Sequence, residues 1–433
     1  MKRRAFLRNT TAAAGAFLAP CYVPRHVLAA PGKPGANDRI AIGIIGPGGR
    51  AHSLLEECPK DVRVLALADC DLRQMEGYEK WGAEKRPDIV ESKLARYQDY
   101  HEMLEKEKLD AVIIATTTHS RALICLDAMQ AGLDVYAEKP LTMTVEEGQY
   151  LVKAERKFKT VFQVGTQQRS VPIDNFGSDL VKNGAIGKVH TVLCPNFLGP
   201  EVREPTTGEK VPDGLDWDKW CHYTPLVPYT PDLHPGLGKW GKWRAYDGGG
   251  LSFGVTGWGA HAFDQMQRAL GTDDTTPSEV WLEEEPSITA KVSMRYPNGI
   301  LVKCELAQDE GPGLGAIFIG EKGRIEINRN IVVSDPPELA KGAPIPDNTS
   351  FTSSVAHHHL KNWVDCMRSR EKPNASTSIG HHSSVICHLI NLCRELGRKL
   401  EWDPVKEEFI GDEEANALRA RPRRKGYELP ELG

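Results

Sequence analysis

The sequence lacks paired cysteines of the kind that bind zinc or carry out dithiol chemistry. It has ten cysteines, but no two of them are spaced as Cys-x-x-Cys. This absence argues against a zinc ribbon and against a thioredoxin-like redox site. Cys125 and Cys387 lie inside apolar helical patterns, so we expect them to be buried free thiols rather than disulfide partners.

A strong charge of one sign is also missing. The formal net charge is −5, which provides no basic field, and we therefore expect no nucleic-acid partner. Beyond the leader described next, no segment reaches about 18 uninterrupted apolar residues, so we expect no membrane span in the mature protein. Internal repeats are absent. A chain of 433 residues is longer than one hydrophobic core usually supports, and this length favours two domains.

The N-terminus has the pattern of an export signal. Arg3 and Arg4 precede Phe6-Leu7 and a modest apolar run over residues 10–19, and this order resembles a twin-arginine signal. The run is too short to span a bilayer stably. We predict a signal peptide over residues 1–30 with cleavage after Ala29, a linker over residues 31–37, and a periplasmic or otherwise exported protein.

A glycine-rich turn follows the first predicted strand. Residues 39–45 form a nearly continuous apolar run, which is typical of a strand buried on both faces of a parallel sheet. Gly46, Gly48, Gly49 and Arg50 come next and lead into a helical pattern. Gly46 would permit the tight turn, Gly48 the close approach of a pyrophosphate, and the helix N-terminus would bind the phosphates. The spacing predicts a dinucleotide site.

An acidic residue at the expected distance indicates which dinucleotide is bound. Asp69 ends the second predicted strand, 23 residues after Gly46. Its carboxylate would accept hydrogen bonds from the adenosine ribose hydroxyls and repel a 2′-phosphate, which favours NAD. Arg50 could pair with such a phosphate, so NADP stays open.

Strand and helix patterns continue to alternate as far as residue 164. This alternation predicts a doubly wound parallel sheet over residues 38–164, with ligands at the carboxyl ends of its strands. Thr116, Glu138 and Lys139 lie at two such ends, and we assign them to the cofactor site.

The pattern changes beyond residue 165. Residues 189–192, 279–282, 288–296, 301–306 and 316–320 have the composition of strands. Asn298-Gly299 predicts a hairpin turn, and residues 320–323 predict another. Late helices are expected over residues 357–369 and 378–396. We predict an α+β domain over residues 165–410, followed by a C-terminal tail over residues 411–433.

Several motifs together resemble one known family. They are the glycine turn with Asp69, the run Glu138-Lys139-Pro140, residues 165–169, and residues 248–264. On these motifs the chain resembles the glucose–fructose oxidoreductase, inositol dehydrogenase and MocA (Gfo/Idh/MocA) family, in particular its exported, twin-arginine-bearing branch. The resemblance implies an open, mostly antiparallel sheet in the second domain, with its flat face over the nicotinamide pocket. It also implies a homodimer or homotetramer.

The family resemblance supplies candidate catalytic residues. Lys139 and His261 match the family's lysine and histidine, with His261 as general base and Lys139 as electrostatic or proton-relay partner. The aspartate that relatives often carry four residues before the histidine is Gly257 here. Three responses are open: His261 works without it, Asp247 or Asp264 substitutes, or ordinary dehydrogenase activity has been lost.

Further site residues are assigned with alternatives. The family loop that contains His119 borders the nicotinamide, so His119 joins the cofactor residues. Gln168, Arg169, Arg244, Tyr246 and His261 are the candidate substrate residues. Residues 200–250 are rich in aromatics, and two interpretations have equal weight. The aromatics either anchor this loop to the core or serve a subunit interface, or they bind a sugar. The histidines at 357–359, 381, 382 and 388 lack a completing ligand set, and we predict no metal.

Three functions remain open from the sequence. The first is an NAD(P)-dependent sugar, polyol or glycoside dehydrogenase. The second is an NAD-dependent glycosidase that oxidises its sugar transiently and retains the cofactor. The third is a non-catalytic sugar-binding homologue. Because free NAD is scarce outside the cytoplasm, an exported member would hold its cofactor tightly.

Overall fold

The computed structural model describes residues 39–204, 207–236, 243–250, 254–307, 312–346 and 355–432. The predicted signal peptide (residues 1–30), the linker (residues 31–37) and Cys21 lie outside these ranges.

The first half of the described chain alternates strictly between strands and helices. Its strands are β1 (Ile40–Ile45), β2 (Val62–Ala68), β3 (Val90–Tyr97), β4 (Ala111–Ile114), β5 (Asp134–Ala137) and β6 (Phe162–Val164). Its helices are α1 (Gly49–Glu57), α2 (Leu72–Lys85), α3 (Tyr100–Lys106), α4 (Thr118–Gln130) and α5 (Val145–Phe158).

These strands form one parallel sheet in the order β3-β2-β1-β4-β5-β6. The order reverses direction between β1 and β4, whose residues pair from Ile42 with Ala111 to Ile45 with Ile114. Such a reversal leaves a crevice at the carboxyl ends of the two strands, where doubly wound folds bind ligands. The predicted fold class of this half is confirmed.

Most helices of this half begin at a side-chain cap. Asp71 accepts a hydrogen bond from the backbone N–H of Arg73 at the start of α2, and Thr144 accepts one from Glu147 at the start of α5. Each cap satisfies a backbone donor that the helix itself leaves unpaired. Helix α1 has no such cap, because Gly48, which directly precedes its first residue, has no side chain.

The second half of the chain is built on a nine-stranded sheet. Its strands are β7 (Val189–Pro195), β8 (Glu279–Leu282), β9 (Val292–Arg295), β10 (Leu301–Leu306), β11 (Ala316–Gly320), β12 (Gly323–Asn328), β13 (Ile331–Asp335), β14 (Leu400–Asp403) and β15 (Glu408–Phe409). Its α-helices are α6 (Pro172–Lys182), α7 (Trp217–Cys221), α8 (Trp258–Leu270), α9 (Ala356–Ser369), α10 (Thr377–Leu396) and α11 (Glu413–Ala417), and short 3₁₀ turns occupy Gln167–Ser170 and Pro337–Ala340.

This sheet has the order β13-β12-β11-β7-β10-β9-β8-β14-β15 and is mostly antiparallel, with β7 and β10 pairing in parallel. The predicted hairpin turns are present. Gly299 adopts φ +89° between β9 and β10, and Gly320 pairs with Gly323 where β11 turns into β12. The strand expected over residues 288–296 is shorter, because Ser287 and Ala290 form a turn before it. The mixed α+β class is confirmed.

Helix α10 joins the cores of the two halves. Its buried residues, among them Cys387, pack with the strands of the second sheet. Gly380 on the same helix approaches β6 so closely that an added Cβ would lie 2.5 Å from Val164 Cγ2. The described residues from Ala41 onward belong to one compact unit.

The described cysteines are free thiols, and Cys125 and Cys387 are buried, as predicted. Among the helices of the described residues, none has both the length and the apolar composition needed to cross a membrane.

Candidate active site

The glycine turn brings the ends of β1 and β4 together. Gly46 has φ +80°, and its N–H donates to the Ala68 carbonyl oxygen at 2.9 Å. A Cβ at this position would lie 2.7 Å from the backbone nitrogen of Thr116. Both the backbone conformation and the close approach therefore require glycine.

The start of α1 is suited to bind a phosphate. Gly48 makes no side-chain cap, and the first turn from Gly49 onward holds no acidic residue. The free N–H groups and the positive end of the helix dipole remain available to an anion. Gly46, Gly48, Gly49 and Arg50 all line a cavity of about 330 Å³, so the residues present fit the pyrophosphate of a dinucleotide.

Asp69 lines the same cavity at the end of β2. Burial raises the pKa of its carboxyl to about 7, although the backbone N–H of Asp71, 2.8 Å from Oδ1, opposes the shift. The carboxylate is therefore placed to accept hydrogen bonds from a ribose but carries a poorly solvated charge.

Arg50 is directed to the end of β5. Its Nε donates to Glu138 Oε1 at 2.7 Å, and Glu138 is buried. Burial acts to raise the pKa of Glu138, but the charges of Arg50 and Lys139 outweigh it and the pKa is lowered. Glu138 is thus an ionised partner that already engages Arg50 within the cavity wall.

Lys139 lines the cavity beside Thr116 and Glu138. Burial lowers the pKa of its ammonium group to about 8, Glu138 opposes the shift, and Arg50 adds to it. A lysine with this pKa exists in both protonation states near neutral pH, which is the property required of a group that exchanges a proton during a reaction.

His261 lies one turn into α8, after the cap residue Gly257. It is buried, and its Nδ1 has no hydrogen-bond partner among the described residues. Burial, with Arg329 and Lys139, lowers its pKa well below the ordinary value, so the imidazole is neutral and a weak base in this environment. His261 is not among the residues that line the cavity with Lys139.

The two acids considered as substitutes at the glycine position are engaged elsewhere. Asp264 accepts hydrogen bonds from Arg169 Nε at 2.6 Å and from the Ser383 hydroxyl at 2.8 Å. Asp247 Oδ2 accepts the backbone N–H groups of Gly249 and Gly250 at 2.9 and 2.6 Å. Each acid stabilises local structure through these bonds.

Two of the predicted site residues, His119 and Arg169, are not among the residues that line the cavity. His119 contacts the carbonyl oxygens of Trp220 and Tyr246 at 2.7 and 3.2 Å, and burial lowers its pKa to about 4. It therefore joins α4 to the aromatic segment, and its assignment to the cofactor stays a prediction. Arg169 is fully occupied by Asp264 and Asp273, so it has a structural role.

The other proposed substrate residues are also engaged. Gln168 donates to the Leu314 carbonyl oxygen at 2.8 Å, and Arg244 Nε donates to Glu395 at 2.9 Å. Tyr246 is buried in an aromatic cluster, where its ring stacks on Trp220 at 5.8 Å. Among the described aromatic side chains of this cluster, Trp220 alone lines the cavity. The anchoring interpretation therefore fits most of the described aromatics of residues 200–250, and Trp240 lies outside the described residues.

The structure adds site residues that sequence reasoning missed. His222, His234 and Tyr427 line the cavity. His222 and His234 both lie in the aromatic-rich residues 200–250, but no pattern in the sequence marked either histidine as a site residue. Tyr427 comes from the C-terminal tail, which has no periodicity that connects it with the cavity.

Arg121 braces the two strand ends that carry the site. Its guanidinium is buried and donates to the carbonyl oxygens of Thr116 and Pro140. These bonds tie the loop after β4 to the loop after β5, and so fix the backbone on either side of Lys139.

The clustered histidines have protein partners. His359 contacts Ser170 and the Val164 carbonyl oxygen, each at 2.7 Å, and His381 Nε2 contacts Glu407 at 2.8 Å. Within the described ranges, no three His, Cys, Asp or Glu side chains are grouped as metal ligands.

The chain was compared with known families, proteins and structures. A model described as "Oxidoreductase family, NAD-binding Rossmann fold" matches residues 40–166. A second, described as "Oxidoreductase family, C-terminal alpha/beta domain", matches residues 198–429. Both are Gfo/Idh/MocA models, and together they cover the first sheet and every strand of the second sheet except β7.

Curated relatives include inositol dehydrogenases. The chain is 29% identical over 159 residues to an inositol 2-dehydrogenase of Rubrobacter xylanophilus, which covers 35% of this chain and 42% of the relative. It is 32% identical over 279 residues to a scyllo-inositol 2-dehydrogenase (NAD(+)) of Bacillus subtilis, or 64% of this chain and 72% of the relative. The chain thus spans less than half of the first relative's length.

Solved structures share the fold. An aldose-aldose oxidoreductase from Caulobacter crescentus superimposes with a TM-score of 0.58 and 18% identity, over 84% of this chain and 99% of the other. The two family models match the NAD-binding domain of this chain and most of its second domain. Together with the Bacillus subtilis relative, they show that the chain belongs to the Gfo/Idh/MocA family of oxidoreductases.

Proposed function

We propose that this protein is an NAD-dependent oxidoreductase that acts on a hydroxyl of a sugar, polyol or glycoside. One observation carries the proposal: a single cavity is lined by the glycine turn at Gly46, by Asp69, and by Lys139 with its pKa near 8. The names of the relatives supply the substrate class.

The coenzyme is held by residues of the first sheet. The N–H groups at the start of α1 receive the pyrophosphate, and Asp69 receives the adenosine ribose. Arg50 is bound to Glu138 at 2.7 Å and so contributes little to a 2′-phosphate, which favours NAD over NADP. Bound NAD supplies the acceptor for the hydride that leaves the substrate carbon.

Lys139 and His261 handle the proton in this proposal. As an ammonium ion, Lys139 stabilises the negative charge that develops on the substrate oxygen, and as a free amine it accepts a proton. His261 is neutral and near enough to Lys139 for the lysine to lower its pKa. In this proposal His261 is the general base without an aspartate at position 257. Because its pKa is lowered, the negative charge that develops on the substrate oxygen has to stabilise the imidazolium as the proton is transferred.

The test is a panel of polyols, sugars and aryl glycosides, read for NADH formation and for released aglycone. The proposal expects NADH to form with at least one polyol or sugar. Aglycone release with no net NADH would identify a retained-cofactor glycosidase instead, and failure of the protein to bind NAD(H) would contradict both.

We also propose that the protein is exported through the twin-arginine route with its coenzyme tightly bound. Support comes from Arg3 and Arg4 before the apolar run. In a cell-fractionation assay, replacement of both arginines by lysine should leave the protein in the cytoplasm. Export of the double variant at the wild-type level would contradict this proposal.

The oligomeric state is proposed from the family resemblance. We expect a homodimer or homotetramer, which light scattering of the purified full chain measures directly. A monomer at all accessible concentrations would overturn this expectation.

A further inference from the structure

A segment of the second half covers the end of β2. Asp71 and Leu215 form an antiparallel bridge, and the Asp216 N–H donates to the Cys70 carbonyl oxygen at 2.9 Å. The Gln98 amide donates to the carbonyl oxygens of Cys70 and Gly214 at 3.0 and 3.1 Å. The chain that leads to α7 is therefore fixed beside Asp69, the residue that receives the adenosine ribose.

His222, directly after α7, has an energetically unfavourable environment. Its φ of 53° and ψ of −131° lie in a region that favours glycine. The side chain is 3% exposed, and neither ring nitrogen has a hydrogen-bond partner among the described residues. Backbone strain and an unsatisfied buried polar group both reduce stability, and such costs concentrate at functional sites. His222 also lines the cavity.

The C-terminal tail holds His222 from outside. Arg424 Nε donates to the His222 carbonyl oxygen at 2.8 Å, and its Nη1 pairs with Asp218 at 2.5 Å. Arg423 lies 4.0 Å over the ring of Tyr223 and pairs with buried Glu147 at 2.6 Å. These contacts attach the tail to both halves of the chain.

Tyr427 completes this end of the cavity. Its ring lies 4.7 Å from the His222 ring, and it lines the cavity together with Gln98 and His101. An aromatic face and an imidazole with free nitrogens match the two recognition properties of a purine base, which are a flat π surface and edge hydrogen-bonding groups.

We propose that His222 and Tyr427 bind the adenine base of the coenzyme, and that Arg424 holds them so that the tail slows coenzyme release. This inference rests on the proposed NAD-dependent function. In a dinucleotide the adenine is attached to the ribose that Asp69 receives, so it must lie at the end of the cavity that these residues line.

The test compares three ligands on the purified full chain: NADH, ADP-ribose and nicotinamide mononucleotide. Loss of one base-stacking side chain corresponds to about 5- to 150-fold in affinity. Tyr427→Ala and His222→Leu should therefore weaken NADH and ADP-ribose by amounts in this range. Nicotinamide mononucleotide, which lacks the adenine, should bind as it does to the wild type. Tyr427→Phe keeps the ring and should bind NADH and ADP-ribose more tightly than Tyr427→Ala does.

Release of NADH, measured by stopped-flow displacement, tests the role of the tail. Arg424→Ala should accelerate release about tenfold, by the loss of roughly one charge-assisted hydrogen bond. Lys425→Ala is the matched control, because Lys425 is the next residue, carries the same charge and is exposed. It should release NADH at the wild-type rate.

The outcomes separate this inference from the proposed function. Wild-type affinity in Tyr427→Ala and in His222→Leu, or equal weakening of all three ligands, would overturn the adenine assignment while NAD binding itself stands. Equal release rates in Arg424→Ala and Lys425→Ala would overturn the role of the tail. A wild-type protein that binds neither NADH nor ADP-ribose would refute the proposed function. His222→Asn separates loss of hydrogen bonding from loss of the fold, because asparagine keeps a donor and an acceptor; it should bind better than His222→Leu.

Discussion

At the residue scale, burial shifts the pKa of two ionisable groups that line the same cavity. Asp69 has its pKa raised to about 7 and Lys139 has its pKa lowered to about 8. Both shifts arise mainly from the loss of water around a charge. The sequence identified both residues from their positions at strand ends, but it could not indicate the shifts, because these depend on burial by residues distant in the chain.

Lys139 should govern the chemical step rather than coenzyme binding. Lys139→Met should reduce kcat by about 10²- to 10⁴-fold, the range for loss of a general acid or base, with NADH affinity changed less than about threefold. Lys139→Arg should be equally impaired, because a guanidinium does not release its proton near neutral pH. An arginine variant with near wild-type kcat would show that Lys139 supplies only charge.

Asp69 should make coenzyme affinity depend on pH. As the pH falls through about 7, the carboxyl takes up a proton and becomes a weaker acceptor for ribose hydroxyls. NADH affinity should therefore be highest above this pH and decrease below it. Asp69→Asn should bind about ten- to a hundredfold more weakly, and its affinity should not change with pH in this range. Parallel pH profiles for the two proteins in NADH titrations would contradict this role.

At the scale of elements, the turn between β1 and α1 is the part of the site that sequence reasoning described best. The strand, the glycines and the helix follow one another directly along the chain, so a local sequence pattern is enough to predict them. The contact of Gly46 with Thr116 is different in kind, because it joins residues that are far apart in the chain. The sequence could not indicate this contact, because it depends on β1 and β4 lying side by side in the sheet.

The two glycines of this turn should differ in their tolerance of a methyl group. Gly46→Ala meets an unfavourable φ and a backbone contact at 2.7 Å, so it should lower the free energy of unfolding by about 1–3 kcal/mol. Gly49→Ala is the control, since nothing lies within 4 Å of its Cβ position and alanine favours a helix. Urea unfolding of the coenzyme-free proteins measures the free energy of unfolding of each variant. Equal stability would show that the turn accommodates a side chain.

At the scale of the whole molecule, the sequence predicted two sheets of the correct types but could not predict the protein contacts of several site candidates, whose ligand roles stay predictions. His119, Arg169 and Arg244 were assigned to ligands because polar residues in family motifs often bind them. The structure places each of them in contacts between distant elements, such as Arg169 with Asp264 and Asp273. Short, half-exposed strands such as β13 and β15 were also missed, because they carry no extended apolar pattern.

Arg169 should therefore affect stability more than substrate binding. Arg169→Met leaves Asp264 buried without its partner and should lower the free energy of unfolding by about 3–5 kcal/mol. Arg368→Met removes an exposed pair with Asp61 and should change it by about 0–1 kcal/mol. Chemical denaturation of both variants provides the comparison. A stable Arg169→Met protein with a raised KM would restore the original substrate assignment.

The C-terminal tail illustrates what no local pattern can reveal. Its residues 419–432 have little periodicity, yet Tyr427 reaches the cavity and Arg423 forms a buried pair with Glu147. These contacts depend on where the tail meets the folded chain.

The central claim is that the cavity from Gly46 to Lys139 binds NAD(H). A fluorescence titration of the purified full chain with NADH, in competition with ADP-ribose, measures this most directly. We expect saturable binding at a single site per chain, displaced by ADP-ribose and weakened by Asp69→Asn. Absence of saturable NADH binding to a coenzyme-free, folded wild-type protein would contradict it.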